Sequence, residues 1–246
     1  MFGSKVNLRG EKSMELDIMA FGAHPDDCEI GIGGALALHA DKGYKVGICD
    51  LTQGEMSTNG DIELRKEEAS EAARILKLEV RENAKIPDGF VRETDEYVDI
   101  VIGIIRKYRP RIVLAPFYED HHPDHINASK LVKRAAHLSG LERYPLDGQK
   151  FRPKNFYYYF LGQPQNPGLV VDTTGYKDTK LESIAAHRSQ LGLMGEAKMT
   201  RLTEFDLLKR IEARDRYMGY FVDSEFGEGL VPVKACKAND LTLLGG

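Results

Sequence analysis

From Glu15 onward, short β-rich apolar runs alternate with longer amphipathic stretches: LDIMAFGA, GGALALHADKGY, KVGICDLT, then DIELRKEEASEAARILKL. Period-two runs read as strands and period-3.6 stretches as helices. Strict alternation of the two is the signature of a parallel sheet covered by helices, because parallel strands need a long crossover between them. The pattern continues through a helix near 94–108, a strand RIVLAPF at 111–117 that follows Pro110, and a helix after Pro123 with Ile126, Leu131 and Val132 facing inward. Strands near 155–161 and 168–172 and helices near 177–191 and 203–219 complete the reading. The fold class expected is α/β, a Rossmann-like, mostly parallel sheet flanked by helices in a single domain over 14–246. Residues 1–13 are polar and aperiodic and precede Met14, which marks them as a flexible extension or an alternative start.

Several functional classes are excluded early. A formal net charge of −4 offers no footprint for nucleic acid or an anionic membrane. No apolar run reaches the roughly 18–20 residues of a membrane span, and the N-terminus lacks a secretory core, so a cytoplasmic protein is expected. Cys28, Cys49 and Cys236 are odd in number and lack C-x-x-C spacing, which leaves neither a disulfide framework nor a thiolate metal site. A small-molecule partner remains.

Open α/β sheets bind ligands where their strands end at the carboxyl edge. Two loops expected there are dense in histidine and aspartate: Ala23-His24-Pro25-Asp26-Asp27 after the first strand, and Glu119-Asp120-His121-His122-Pro123-Asp124-His125 after RIVLAPF. Four of the seven histidines fall in these segments, a clustering that scatter would rarely produce. A hydrolytic zinc site takes three ligands from histidine and carboxylate and leaves a fourth position for water, whose pKa falls toward ~7. His24, Asp27 and His125 supply that set. Asp26, between two ligands and pointing elsewhere, is the candidate general base. His122 is placed to polarise a carbonyl or protonate a leaving amine, with Asp124 orienting it and keeping it charged. One H-P-D alone reads equally well as a turn with an Asx cap; two of them after two strands favour the metal site.

Arg65 is the candidate substrate clamp, since a guanidinium near a helix start at the carboxyl edge can grip a carboxylate or sugar hydroxyls. The bland alternative is a solvated face, because Arg65, Lys66, Glu67 and Glu68 are a mixed charge run. Glu55, Ser57 and Asn59 join Arg65 as substrate-binding candidates from the loop after the second strand. His187, His39 and His137 read as packing or surface residues, and the Tyr157-Tyr158-Tyr159 run as core and rim packing.

The paired A-H-P-D-D and H-P-D-H motifs, His24 to Asp27 and His122 to His125, resemble the hallmark motifs of the LmbE/PIG-L-like N-acetylglucosaminyl deacetylases. That resemblance implies zinc on His24, Asp27 and His125, a general base at Asp26, and transition-state stabilisation by His122 with Asp124 as partner. Within the family the chain looks most like the bacillithiol-biosynthesis deacetylases that act on N-acetylglucosaminyl-malate. The similarity is carried by Cys49-Asp50-Leu51-Thr52, Asn59-Gly60, Glu63 to Glu68, Ala115 to Asp120 and the Leu-Leu-Gly-Gly end. It also implies a homo-oligomer, with a hexamer as one form. Rival readings are a relative acting on an inositol conjugate, a chitooligosaccharide or an antibiotic intermediate, a zinc protein without catalysis, and a nucleotide-binding module suggested by Gly31, Gly33 and Gly34. The last lacks the full glycine fingerprint, and its acidic neighbours would repel a pyrophosphate.

Overall fold

The computed structural model describes residues 14–193, 198–200 and 206–237. The expected extension over 1–13, the start of the helix near 203–219 and the Leu-Leu-Gly-Gly end lie outside the described residues. A seven-stranded sheet organises the rest, in the order β3-β2-β1-β4-β5-β7-β6. Its strands are β1 (Ile18–Gly22), β2 (Val46–Asp50), β3 (Val80–Asn83), β4 (Ile112–Pro116), β5 (Asn155–Tyr159), β6 (Leu169–Asp172) and β7 (Gly227–Pro232). Around it stand α1 (Asp27–Asp41), α2 (Ile62–Ile75), α3 (Asp95–Tyr108), α4 (Pro123–Leu138), α5 (Lys177–Ala185) and α6 (Leu207–Tyr220). Strands β1 to β5 pair in parallel, and β7 runs antiparallel between β5 and β6. This is the expected α/β class with a mostly parallel sheet.

The alternation of strand side chains builds two cores, one on each face. Met19 and Phe21 of β1 join Val101, Ile102 and Ile105 of α3 and Leu131 and Val132 of α4. Between them Ala20 faces the other way, toward Ile32 and Leu36 of α1 and Ile48 of β2. The tyrosine run splits in the same manner, Tyr158 to the first core and Tyr157 and Tyr159 to the second. Each fully buried Leu, Ile or Phe contributes about 1.5–3 kcal/mol of transfer free energy, so both faces of the sheet are held strongly. Asp61 caps α2 by accepting from the Leu64 N–H at 2.9 Å, and Thr94 caps α3 through the Tyr97 N–H at 3.3 Å.

Two strands escape a periodicity reading, for identifiable reasons. β3 reads Val-Arg-Glu-Asn, and its charges are matched inside the protein: Arg81 pairs with Asp50 and Glu29, and Glu82 with Lys107 and the Tyr108 hydroxyl. β7 begins Gly-Glu-Gly because a side chain at Gly229 would sit 2.7 Å from the Met218 sulfur. Its Glu228 accepts the N–H groups of Gly34 and Ala35, just beyond the non-helical Ile32 that kinks α1. Helix α5 is shorter than expected, closing at Ala185, and His187 beyond it is fully buried, 3.2 Å from Glu29. The expected packing or surface histidine is therefore a member of an internal charge network.

Candidate active site

The chain lays down β1, β2 and β3 outward in one direction, then returns to place β4 on the other side of β1. Strand order reverses between β1 and β4, and the loops leaving these neighbours diverge there to leave a crevice at the carboxyl edge. Both histidine-rich segments open into it. The first passes from β1 through His24 and Pro25 to Asp26, whose φ of 130° is unusual for any residue other than glycine. That backbone bend turns the chain into α1 and leaves Asp26 at the helix N-terminus without a capping hydrogen bond from its own side chain. The second passes from β4 to His122, the N-cap of α4, with Pro123 at the first helical position where its missing N–H costs nothing.

His24, Asp27 and His125 bring one ligand atom each to within 4.8 Å of one another. His24 Nδ1 lies 3.5 Å from Asp27 Oδ2, and His125 Nε2 lies 3.3 Å from Asp27 Oδ1. His122 and Asp124 form a second such group with His24. Burial alone would lift the Asp27 carboxyl, but the charges of His125 and His24 overcome it and hold Asp27 well below the carboxylate range. Burial disfavours charge on His125 as well, yet Asp27 and Asp120 draw its pKa up to about 9. His24 behaves alike: despite burial, Asp124, Asp27 and Asp88 raise it well above the ordinary value. An ionised carboxylate between two imidazoles drawn toward the cationic form is a donor set suited to a divalent metal, which takes the place of the protons. The residues present therefore fit a metal.

Asp26 sits 7 % exposed beside this group, and burial pushes its pKa up to about 6 against the opposing charge of Arg65. Arg65 itself is 4 % exposed, so the solvated-face alternative does not hold. Its guanidinium donates to the carbonyls of Pro25 (2.6 Å) and Gly54 (3.2 Å) and approaches Asp26 Oδ2 at 3.6 Å. The other three substrate-binding candidates also have partners within the protein. Glu55 accepts the Asp88 N–H, the Ser57 hydroxyl donates to the Asn59 carbonyl, and the Asn59 amide pairs in both directions with the backbone of Lys198. Glu55, Ser57 and Asn59 tie together the loop after β2, and Arg65 of α2 fastens that loop to the one after β1, with its Nε left without a partner.

One expected contact is corrected. Asp124 does not orient His122 with its carboxylate; His122 Nδ1 accepts the Asp124 backbone N–H at 3.2 Å, while the carboxylate accepts from the Gly89 N–H at 2.8 Å and approaches His24 at 3.5 Å. Burial, reinforced by the His125 and His24 charges, lowers the His122 pKa, which favours the neutral ring over the charged one expected from the sequence. With Nδ1 accepting, the ring proton resides on Nε2. His122 stacks on His125 at 4.7 Å between centroids and meets His24 edge-on at 4.9 Å.

Two aspartates near the histidines have no site role in the sequence reading. Asp120 lies 3.2 Å from His125 Nδ1 and accepts the His122 N–H at 2.8 Å. Asp88, in the turn after β3, lies 3.1 Å from His24 Nε2. Each follows the carboxyl end of a parallel strand, and that position was the available signal. It was hidden at Asp88 because β3 itself does not look like a strand.

Comparison with known proteins agrees with this geometry. Residues 19–136, which contain both motifs, match the PIG-L family, described as GlcNAc-PI de-N-acetylase. A diacetylchitobiose deacetylase of Thermococcus kodakarensis is 32% identical over 191 residues, covering 70% of this chain and 69% of its own. A probable N-acetyl-alpha-D-glucosaminyl L-malate deacetylase 2 of Bacillus cereus is 27% identical, with 78% and 92% covered. Among solved structures, a conserved protein from Thermus thermophilus superposes with a TM-score of 0.84 at 34% identity, covering 92% of this chain and 98% of that one. The chain belongs to the PIG-L/LmbE family and is a deacetylase, an amide hydrolase.

Proposed function

We propose that the protein removes acetate from N-acetylglucosaminyl-L-malate, as in bacillithiol biosynthesis, with zinc held by His24, Asp27 and His125. The observation that carries this reading is the convergence of those three side chains from two loops on adjacent strands, with a buried non-ligand carboxylate, Asp26, beside them. The malate conjugate is favoured by the Bacillus cereus relative, which is matched along 92% of its length.

Zinc, when bound, supplies a Lewis acid that polarises the acetamide carbonyl and lowers the pKa of water toward ~7. Asp26 takes the proton from the attacking water at its carboxylate; a pKa of about 6 keeps it ionised at neutral pH yet close enough to hand the proton on. His122 donates its Nε2–H to the oxyanion that develops on the carbonyl, as a neutral donor. The C–N bond then breaks, and acetate and the free amine leave. Asp124 fixes the backbone that His122 leans on. Arg65, Glu55, Ser57 and Asn59 serve the substrate by holding the loops that carry Asp26 and Asp88 in place. A homo-oligomer, a hexamer in its full form, acting in the cytoplasm completes the reading. Among the described residues no helix is long and apolar enough to cross a membrane.

The test is acetate release from N-acetylglucosaminyl-malate and from free N-acetylglucosamine, using metal-stripped protein with and without added zinc. Zinc-dependent turnover of the malate conjugate alone is expected. Zinc binding without turnover of either compound refutes the malate assignment and directs attention to diacetylchitobiose and inositol conjugates.

A further inference from the structure

The two nitrogens of His24 face different carboxylates. Nδ1 is turned to Asp27, itself one of the three candidate ligands, 3.5 Å away; Nε2 is turned to Asp88 at 3.1 Å and Asp124 at 3.5 Å. An imidazole that binds a metal through one nitrogen carries its proton on the other, and an acceptor for that proton sets the tautomer and the plane of the ring. We infer that Asp88 is a positioning residue that receives the Nε2–H of His24 and holds the ring for the metal. This rests on the reading of His24, Asp27 and His125 as the metal site.

Asp88 is placed to do this by a clamp between two loops. Its Oδ2 accepts the Met56 N–H at 3.0 Å, and its own N–H donates to Glu55 Oε1 at 2.8 Å, so the loop after β2 grips it at both ends. That leaves Oδ1 for His24. The next residue, Gly89, adopts a φ of +75° that a side chain would resist, and its N–H goes to Asp124. Asp124 also faces Nε2, at 3.5 Å, but with the same Oδ2 that accepts the Gly89 N–H, whereas Asp88 presents the Oδ1 that the Met56 N–H leaves open. Asp88 is 7 % exposed, so water does not compete freely for the contact. The Pro87-Asp88-Gly89 turn thus acts on the metal site through His24, and Glu55 acts through Asp88.

The measurement is zinc affinity of the full-length protein, stripped of metal and titrated with zinc against a chromophoric competing chelator, for wild type, Asp88→Ala, Asp88→Asn and His24→Ala. Loss of such an acceptor weakens metal binding by about 10- to 100-fold, and that is expected for Asp88→Ala. Asp88→Asn retains an oxygen acceptor in the same place and should lose less. Wild-type zinc affinity in Asp88→Ala, even with a lowered melting temperature, refutes the inference, since a brace of the fold alone would give that result. A loss as complete as that of His24→Ala refutes it also, by making Asp88 a ligand. Should the wild type bind no zinc, the metal-site reading fails and takes this inference with it; equal binding by wild type and Asp88→Ala sinks the inference alone.

Discussion

Replacing Arg65 separates a substrate clamp from a brace of the catalytic turn. The guanidinium joins Pro25, immediately before Asp26, to Gly54 in the loop after β2, and lies 3.6 Å from the Asp26 carboxylate. Asp26 stands at φ 130°, a conformation that costs on the order of 1–3 kcal/mol and persists only where its surroundings enforce it. Arg65→Ala removes two charge-assisted hydrogen bonds, each worth about 1.5–3 kcal/mol net, and leaves the Pro25 carbonyl short of a partner, while the Gly54 carbonyl keeps the Ser57 N–H. Allowing for water entering the space, the loss of stability is about 3–5 kcal/mol, a large fraction of a domain's total. Urea unfolding followed by circular dichroism measures it. Arg65→Lys should recover little, because one ammonium cannot reproduce the fork that reaches Pro25 and Gly54 together. In the folded fraction kcat falls with KM little changed, since what is lost is the placement of Asp26. An unchanged urea midpoint together with a KM raised tenfold or more would refute this reasoning and restore Arg65 to the role of substrate clamp.

Asp26→Asn should retain bound metal, measured by elemental analysis, while kcat drops by about 10²–10⁴-fold, the usual contribution of a general base. Lys180, 2 % exposed, bridges Asp215 at 2.6 Å and Glu228 at 2.5 Å; Lys180→Met removes their shared cation, leaving Asp215 with Arg214 and Glu228 with the Gly34 and Ala35 N–H groups, and the uncompensated buried charge should cost about 3–5 kcal/mol in urea unfolding. Burial opposes ionisation of Glu82, but the Tyr108 hydroxyl and Lys107 prevail and lower its pKa below 4.5. A carboxylate depressed in the folded state contributes stability that is complete above its unfolded pKa and lost as pH falls through its folded one. The gap in urea midpoint between wild type and Glu82→Gln should therefore be constant from pH 7 to about 5 and close on further acidification; a gap that widens there would contradict the assignment.

The layered α/β class, the parallel strands and the two histidine-bearing loops were legible because each has a local signature. Hydrophobic period reports burial, and a strand's carboxyl end reports where a crevice opens. Arg65 was not legible in the same way. Its neighbours Lys66 and Glu67 are exposed as a mixed charge run implies, while Arg65 and Glu68 on the same helix turn inward, to Pro25 and to Ser189. Nothing in a charge run says which members meet partners, because those partners lie 40 and 121 residues away in the chain. The same holds for Arg81, Glu82 and Glu228, charges in strands that a hydrophobic criterion passes over.

These internal charges share a location and a consequence. Glu29 and Asp50 meet on Arg81, with His187 on Glu29, and Glu29 lies in the first turn of α1, two residues beyond Asp27. Glu228 and Lys180 hold the second part of the same helix beyond its kink. Helix α1 therefore carries a metal-ligand candidate at its start and is pinned by the Glu29 ion pair and by the Glu228 carboxylate on its backbone as well as by apolar contact. Apolar packing tolerates small sliding, whereas a hydrogen-bonded ion pair in a low-dielectric interior has a narrow geometry and a large penalty for losing one partner. A site whose ligands must converge from two loops needs its supporting helix fixed in that stricter sense. It follows that Lys180→Met should weaken zinc binding as well as stability, although Lys180 belongs to neither histidine-bearing loop. If chelator competition shows zinc affinity unchanged while stability falls by several kcal/mol, α1 is held for folding alone, and the link between its buried charges and the site is broken.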